Sequence, residues 1–138
     1  MKVYLDTNFF IAFLESDAPS LAAFFARMIE DDVPLVTSEL TLMEVLTGAL
    51  RDADAGEVAA YEELLAEGGR PVDVRPIDRP TLRRAAAIRI ALGNRTPDAI
   101  HVATAVAAGC DLFVSSDRRL KVPDDMRKVA LEDLGTLL

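Results

Sequence analysis

The sequence is poor in the residues that build several common kinds of functional site. It contains no tryptophan, one cysteine and one histidine among 138 residues. A single cysteine cannot form an internal disulfide, which is typical of a protein from a reducing compartment. These counts also exclude zinc sites built from four cysteines, from paired cysteines and histidines, or from three histidines. With aromatic residues at only 6%, the composition disfavours a base-stacking surface of the single-strand-binding type.

Long hydrophobic runs are also missing. No segment approaches the ~18 uncharged apolar residues of a membrane span, and the first residues contain no signal-peptide core of roughly 7–15 apolar residues. We therefore expect a cytoplasmic protein without a membrane segment. Apolar residues make up 51% of the chain and charged residues 28%, which is typical of a globular protein. The length fits a single domain, residues 1–138.

The charge of the chain is unevenly distributed. The formal net charge of −8 by itself disfavours nucleic-acid binding, because phosphate contacts favour basic surfaces. However, residues 1–70 hold 4 basic and 14 acidic residues, whereas residues 71–138 hold 11 basic and 9 acidic residues. Between Arg79 and Pro97 there are five arginines and no acid. This patch is consistent either with a solvated helix face or with a phosphate-binding surface.

Segments typical of strands and of helices alternate along the chain. Strands are predicted at residues 2–6, 34–37, 72–77 and 112–115, with a fifth at about 128–131. Helical patterns fill the intervals, and Thr96 is expected to cap the last long helix, with Pro97 at its first position and Asp98 in its first turn. The alternation predicts a three-layer α/β/α fold with a central, mostly parallel sheet of four to five strands.

Four acidic residues stand at ends of these elements or within apolar surroundings. Asp6 ends the first strand, Asp117 follows the fourth strand, and Asp98 opens a helix. Ligands of open parallel sheets bind outside the carboxyl ends of the strands, so these residues are predicted to face one crevice. Glu44 lies within the apolar stretch 42–46, where burial is costly without a partner or a metal ion. Helix capping, a turn or a solvated helix face would explain each acid singly.

The four acids together favour a metal site. Clustered carboxylates without basic partners repel one another and cannot all stay ionised. Mg²⁺ prefers oxygen ligands and keeps several waters, so two to four carboxylates suffice. Such an ion polarises a phosphoryl oxygen and activates water for attack. Arginines would then hold the flanking phosphates, and the candidates are Arg84, Arg89, Arg95 and Arg118.

The only histidine, His101, lies three residues after Asp98 on the same predicted helix face. It can orient a carboxylate or carry a proton. A lone histidine flanked by Ile100 and Val102 is, however, more often a packed core residue. The sequence alone does not decide between these roles.

The motifs around the four acids resemble a known family. The segments VYLDTNFFIAFLE, VTSELTLMEVL and TPDAIHVATAVAAGCDLFVSSDRRL carry Asp6, Glu44, Asp98 and Asp117 in that order. They resemble a PIN domain over essentially the whole chain, most closely the VapC-type toxins of bacterial and archaeal toxin–antitoxin pairs. The resemblance implies a metal-dependent endoribonuclease in which the first three acids surround Mg²⁺ or Mn²⁺ and the fourth completes the site. Asn8 matches a small polar position that helps hold the first aspartate or a water.

The same resemblance implies partners. Members of the family commonly form homodimers and are neutralised by a small antitoxin protein, whose tail inserts near the active site and brings a basic residue to the acids. The acidic half of the chain, residues 1–70, suits such a basic partner. RNA is the implied substrate, and its identity stays open.

Two alternatives from other classes share some of these features. Aspartyl-phosphate phosphatases and receiver domains also place an aspartate at a strand end and bind Mg²⁺. The phosphatase pattern needs a second aspartate where Asn8 stands, and a receiver needs an early acidic pair that this sequence lacks near Asp6. A PIN-fold binding module that acts through protein contacts alone is the non-enzymatic alternative. The presence of all four acids favours the nuclease over this binding module.

Overall fold

The computed structural model describes residues 1–138 and contains five strands, six α-helices and a final 3₁₀ helix. In chain order these elements are β1 (Val3–Leu5), α1 (Thr7–Glu15), α2 (Pro19–Glu30), β2 (Leu35–Ser38), α3 (Glu39–Arg51), α4 (Ala55–Leu64), β3 (Val72–Arg75), α5 (Arg79–Leu92), α6 (Thr96–Ala107), β4 (Leu112–Val114), β5 (Arg127–Val129) and the 3₁₀ helix (Leu131–Leu137). All five predicted strands are present. The 3₁₀ helix takes up part of the segment that the sequence predicts as the end of β5.

The sheet confirms the expected α/β/α fold and is parallel throughout. Its strand order is β3-β2-β1-β4-β5, and every neighbouring pair is parallel. The strands β1, β2 and β4 are buried along their whole length, which agrees with their mainly apolar sequences, in which Thr37 and Ser38 at the end of β2 are the exceptions. The strand order reverses between β1 and β4, where Leu5 pairs with Val114. Residues that follow these two strands therefore lie side by side at the topological switch point.

Two apolar cores cover the two faces of the sheet. On one face, Phe9 of α1 and Phe24 of α2 pack in one cluster with Leu5. On the other face, the helices α5 and α6 pack against Tyr4 and Phe113, whose stacked rings have centroids 4.8 Å apart. Successive side chains of a strand point to opposite faces. Tyr4 consequently lies under α6, whereas its neighbour Leu5 lies on the side of α1.

The connection between α5 and α6 is fixed by two residues. Gly93 ends α5 with a φ of +76°, a left-handed conformation that favours glycine. The buried Asn94 donates from Nδ2 to the carbonyl of Lys121 at 2.8 Å and accepts at Oδ1 from the amide of Lys121 at 2.9 Å. These bonds tie the beginning of α6 to the loop that follows β4, so both segments reach the same end of the sheet.

The prediction that Thr96 caps α6 is wrong by one residue. The amide of Ala99 donates to the carbonyl of Arg95 at 2.8 Å, which makes Arg95 the cap and Thr96 the first helical residue. Arg95 provides no side-chain capping bond, so its side chain stays available for other contacts.

None of the single helices has both the length and the apolar composition needed to cross a membrane. The bent pair formed by α1 and α2, with a bend of 115° between them, meets these criteria of length and composition only when the two are taken together.

Candidate functional site

The four predicted acids line one cavity at the carboxyl ends of the strands. The cavity has a volume of about 390 Å³, and its lining consists of Asp6, Thr7, Asn8, Ile11, Glu44, Arg95, Pro97, Asp98, His101 and Asp117. A larger cleft of about 660 Å³ lies at the opposite ends of the strands, where Lys2 and Arg70 alternate with Asp32 and Asp73. Because only the first cavity concentrates carboxylates, it is the candidate site.

Asp6 is held from two directions. Its Oδ1 accepts from the amide of Thr7 at 2.8 Å, and its Oδ2 accepts from the hydroxyl of Ser115 at 2.6 Å. Asp6 therefore caps α1, as the local explanation of this residue predicts, and also lies in the site. The hydroxyl oxygen of Ser115 further accepts from the amide of Asp117 at 3.1 Å and from Nδ2 of Asn8 at 3.4 Å. One hydroxyl thus links the two aspartates at the switch point.

Glu44 faces the site rather than bulk solvent. Its Oε1 accepts from the hydroxyl of Thr7 at 2.8 Å and from Nε2 of His101 at 2.7 Å. Partial burial works to raise the pKa of Glu44, but the hydrogen bonds from His101 and Thr7 outweigh it and hold this pKa below its ordinary value. Glu44 is therefore a carboxylate at neutral pH, and the solvated-face explanation does not apply.

Arg95 bridges the other two acids. Its Nε lies 3.5 Å from Oδ2 of Asp98, and its Nη2 lies 3.5 Å from Oδ2 of Asp117. Burial, followed by the charges of Asp117 and Asp6, raises the pKa of Asp98, and Arg95 offsets this only in part. The premise that the acids lack a basic partner is therefore corrected, because the chain itself supplies one cation.

The other predicted arginines do not contact the four acids. Arg84 on α5 and Arg118 after β4 are exposed at the surface, and Nε of Arg89 donates to the carbonyl of Asn94 at 3.3 Å. Of the four arginines, Arg95 alone lines the cavity. The structure thus brings one of the four candidate phosphate ligands into the site.

The oxygen atoms of the cavity fit a hard divalent cation. Oδ2 of Asp98 and Oδ1 of Asn8 are buried without a hydrogen-bond partner. Carboxylate and amide oxygens are ligands that Mg²⁺ and Ca²⁺ accept, and Mg²⁺ is typically held by one or two carboxylates and several waters. No three histidine, cysteine or acidic side chains are close enough to hold one ion together. The donor set therefore suits an ion that keeps part of its water shell.

Three residues in or next to the site carry no functional signal that the sequence analysis uses. They are Thr7, Ser115 and Tyr4. The signal for Ser115 is its position directly after β4, two residues before Asp117. The signal for Tyr4 is its hydroxyl group within a fully buried strand, because buried hydroxyls require a partner.

Comparisons with known proteins agree with this fold. The chain is similar to VapBC2 from Rickettsia felis, with 12% identity over 94% of this chain and 98% of that chain at a TM-score of 0.72. It is similar to VapBC from Salmonella typhimurium, with 18% identity over 94% and 98% of the two chains at a TM-score of 0.70. Mycobacterium tuberculosis VapC20, described as a sarcin-ricin loop cleaving toxin, matches with 19% identity over 84% and 92% at a TM-score of 0.64.

At these identities the likeness to solved structures concerns the fold alone. No curated protein matches the chain by sequence. The model of the PIN domain family matches residues 3–125, which contain the strands β1 to β4 and all four acids of the cavity. This chain belongs to the PIN domain family.

Proposed function

We propose that this chain is a metal-dependent endoribonuclease and the toxin of a toxin–antitoxin pair. The observation that carries the proposal is the cavity in which Asp6, Glu44, Asp98 and Asp117 meet at the switch point of a PIN-domain sheet. The similar structures described above belong to toxin–antitoxin systems, and one of those toxins cleaves the sarcin-ricin loop. The reaction is hydrolysis of an RNA phosphodiester bond in the cytoplasm.

The roles of the acids follow from their surroundings. Asp98 and Asp6 are the principal candidates to hold Mg²⁺ or Mn²⁺, and Glu44 and Asp117 would complete the charge and bind waters of the ion or a second ion. A divalent cation bound there supplies the charge that polarises a phosphoryl oxygen and lowers the pKa of a water. Asn8, whose Oδ1 is buried without a partner, would accept a hydrogen bond from such a water. The chain thereby orients the attacking water against the scissile phosphate.

Arg95 is the proposed contact to the RNA backbone. Its side chain is 61% exposed while its guanidinium reaches two acids of the cavity. A phosphate that approaches the cavity therefore meets this guanidinium, which can bind two phosphate oxygens at once. We further propose that three surface arginines contact the flanking phosphates of the RNA. These are Arg84, Arg89 and Arg118.

The antitoxin is the second proposed partner, and the active form is proposed to be a homodimer. The net charge of residues 1–70, with 4 basic and 14 acidic residues, favours a basic protein segment. A basic side chain of that segment would reach the acidic cavity and compete there with metal and RNA. The antitoxin-free protein is therefore the form in which activity is expected.

Purified, antitoxin-free protein should cleave RNA in the presence of Mg²⁺ or Mn²⁺ and not in the presence of EDTA. The substrates are total RNA, transfer RNA and an oligonucleotide with the sarcin-ricin loop sequence, and the product ends show which oxygen leaves. Cleavage that persists in EDTA would contradict the metal mechanism. A folded protein that cleaves none of these substrates with either metal would favour the non-catalytic PIN module.

Replacing Arg95 with alanine should weaken RNA binding and reduce its salt dependence. Loss of one phosphate contact to a single strand lowers the slope of log K against log salt by about 0.7. The measurement is the affinity of a catalytically inactive background for an RNA oligonucleotide over a range of salt concentrations. Arg27→Ala is the matched control, because Arg27 on α2 pairs with Asp31 at the end of that helix and does not line the cavity. An unchanged slope in Arg95→Ala would remove this residue from the RNA contact.

A further inference from the structure

A buried chain of three side chains runs behind the cavity to Glu44. The hydroxyl of Tyr4 lies 2.6 Å from Nδ1 of His101, and Nε2 of His101 lies 2.7 Å from Oε1 of Glu44. Tyr4 is fully buried and His101 is 2% exposed. The three residues come from β1, α6 and α3, so the chain of contacts connects both layers around the sheet. Neither Tyr4 nor His101 is explained by apolar packing alone, since both use their polar atoms.

The hydrogen atoms in this chain can be assigned from chemistry. A carboxylate only accepts hydrogen bonds, so Nε2 of His101 must carry the hydrogen that it shares with Glu44. A neutral imidazole carries one hydrogen, which leaves Nδ1 as an acceptor for the hydroxyl of Tyr4. The hydroxyl of Tyr4 then donates its hydrogen to this nitrogen over 2.6 Å. The neutral imidazole is thereby fixed as the Nε2–H tautomer.

This arrangement constrains the carboxylate of Glu44. Both of its hydrogen bonds, from His101 at 2.7 Å and from Thr7 at 2.8 Å, go to Oε1. The other oxygen, Oε2, has no protein partner although the side chain lines the cavity and is only 32% exposed. A free glutamate side chain samples many rotamers, and fixing it costs entropy unless other contacts have already selected one. The bonds to Oε1 select the rotamer in advance.

We propose that Tyr4 and His101 are positioning residues that fix Glu44 through Oε1 and leave Oε2 for the cation site. Tyr4 is fully buried and His101 reaches the cavity with only 2% of its surface exposed, so both act through Glu44. The proposal rests on the proposed metal-dependent nuclease, since it assigns a role to residues behind that site. It also explains why the polar atoms of a histidine and a tyrosine lie beside a core built mainly from apolar residues of β2, α5, α6 and β4.

The tautomer can be measured directly because the chain contains one histidine. Nitrogen-15 labelling of histidine gives ring signals from His101 alone, recorded at a pH above the titration of the imidazole. We expect a hydrogen on Nε2 and an unprotonated, hydrogen-bonded Nδ1. Tyr4→Phe should shift the Nδ1 signal by removal of its hydrogen-bond donor. A neutral imidazole with its hydrogen on Nδ1 in the unsubstituted protein would overturn the proposal.

Two substitutions of His101 by amide side chains distinguish a role in positioning Glu44 from a role in core packing. In His101→Gln the side-chain amide reaches the place of Nε2 and can still donate to Glu44, whereas in His101→Asn it reaches only the place of Nδ1. Substitution of a residue that hydrogen-bonds to a metal ligand typically lowers metal affinity or activity by about 10–100-fold. We expect a loss of this size in Mn²⁺ affinity for His101→Asn and a loss of only a few-fold for His101→Gln. The affinity is measured by calorimetry with the metal alone.

The controls distinguish this proposal from a general loss of stability and from the proposed function itself. Thr104→Val removes another buried polar group of α6, whose hydroxyl donates to the carbonyl of Ile100 at 2.8 Å, and should leave Mn²⁺ affinity unchanged. Equal Mn²⁺ affinities of the two His101 variants would overturn the proposal. If the tautomer and the affinity series are as expected but RNA is never cleaved, the positioning role stands and the nuclease assignment fails.

Discussion

Asp98→Asn is expected to reduce RNA cleavage by more than about a hundredfold, since even partners of metal ligands typically account for 10–100-fold. Asp98 lies in the first turn of α6, is 7% exposed, and has a buried Oδ2 without a hydrogen-bond partner. Asparagine keeps the shape of the side chain but removes the charge that attracts a cation. The measurement is the initial rate of cleavage with Mg²⁺ or Mn²⁺. Full residual activity would remove Asp98 from the mechanism.

Asp98→Asn should not lower the free energy of unfolding of the metal-free protein. Burial and the charges of Asp117 and Asp6 raise the pKa of Asp98 in the folded protein. An aspartate with a raised folded pKa lowers the free energy of unfolding when the pH is above that pKa, and this effect disappears as the pH falls below the unfolded value of about 3.9. Asp98→Asn should therefore equal or exceed the unsubstituted protein in stability at neutral pH, and the difference should vanish on acidification.

A second aspartate variant controls for charge alone. Asp52→Asn removes one negative charge from the exposed end of α3 and leaves the cavity lining unchanged. It should cleave RNA at the rate of the unsubstituted protein. If Asp52→Asn and Asp98→Asn lost activity equally, the loss would reflect the general electrostatics of the chain rather than the site.

The sequence identifies those parts of the fold and site that depend on local pattern. The buried strands β1 and β4 are short apolar runs, and Asp6 and Asp117 are recognisable because each follows such a strand. Gly93 marks the end of α5 for a reason of backbone geometry alone. In each case the residues of one short segment are enough to predict the feature, so the prediction does not depend on how distant segments pack.

The remaining features depend on contacts between distant segments. Tyr4 and His101 are separated by 97 positions in sequence, and their bond exists only because α6 packs on the face of β1 where Tyr4 points. Arg95 follows α5, whose exposed arginines are typical of a solvated helix face. The hydrogen bonds of Asn94, however, tie the beginning of α6 to the loop after β4 and place Arg95 beside that loop. Its guanidinium thereby reaches Asp98 and Asp117. No periodicity in the sequence encodes this placement.

Mn²⁺ is expected to stabilise the folded protein against unfolding by about 2.7 kcal/mol when its free concentration is a hundred times the dissociation constant. The cation would bind where four carboxylates surround a cavity of about 390 Å³, and the unfolded chain offers no such arrangement. Above the dissociation constant, each tenfold increase in free Mn²⁺ should add about 1.4 kcal/mol. The measurement is the free energy of unfolding by denaturant across a Mn²⁺ series, with EDTA as the zero point.

The Mn²⁺ series also tests whether Arg95 competes with the cation for the acids of the cavity. Its guanidinium already bridges Asp98 and Asp117 at 3.5 Å from each, and no three acids are close enough to share an ion. A cation at Asp98 must therefore compete with this arginine, so Arg95→Ala should bind Mn²⁺ more tightly while it binds RNA more weakly. Asp98→Asn should show little stabilisation at the same Mn²⁺ concentrations. If Arg95→Ala instead bound Mn²⁺ less tightly, Arg95 would stabilise the metal site rather than compete with the cation. The prediction of opposite effects on Mn²⁺ binding and RNA binding would then be wrong.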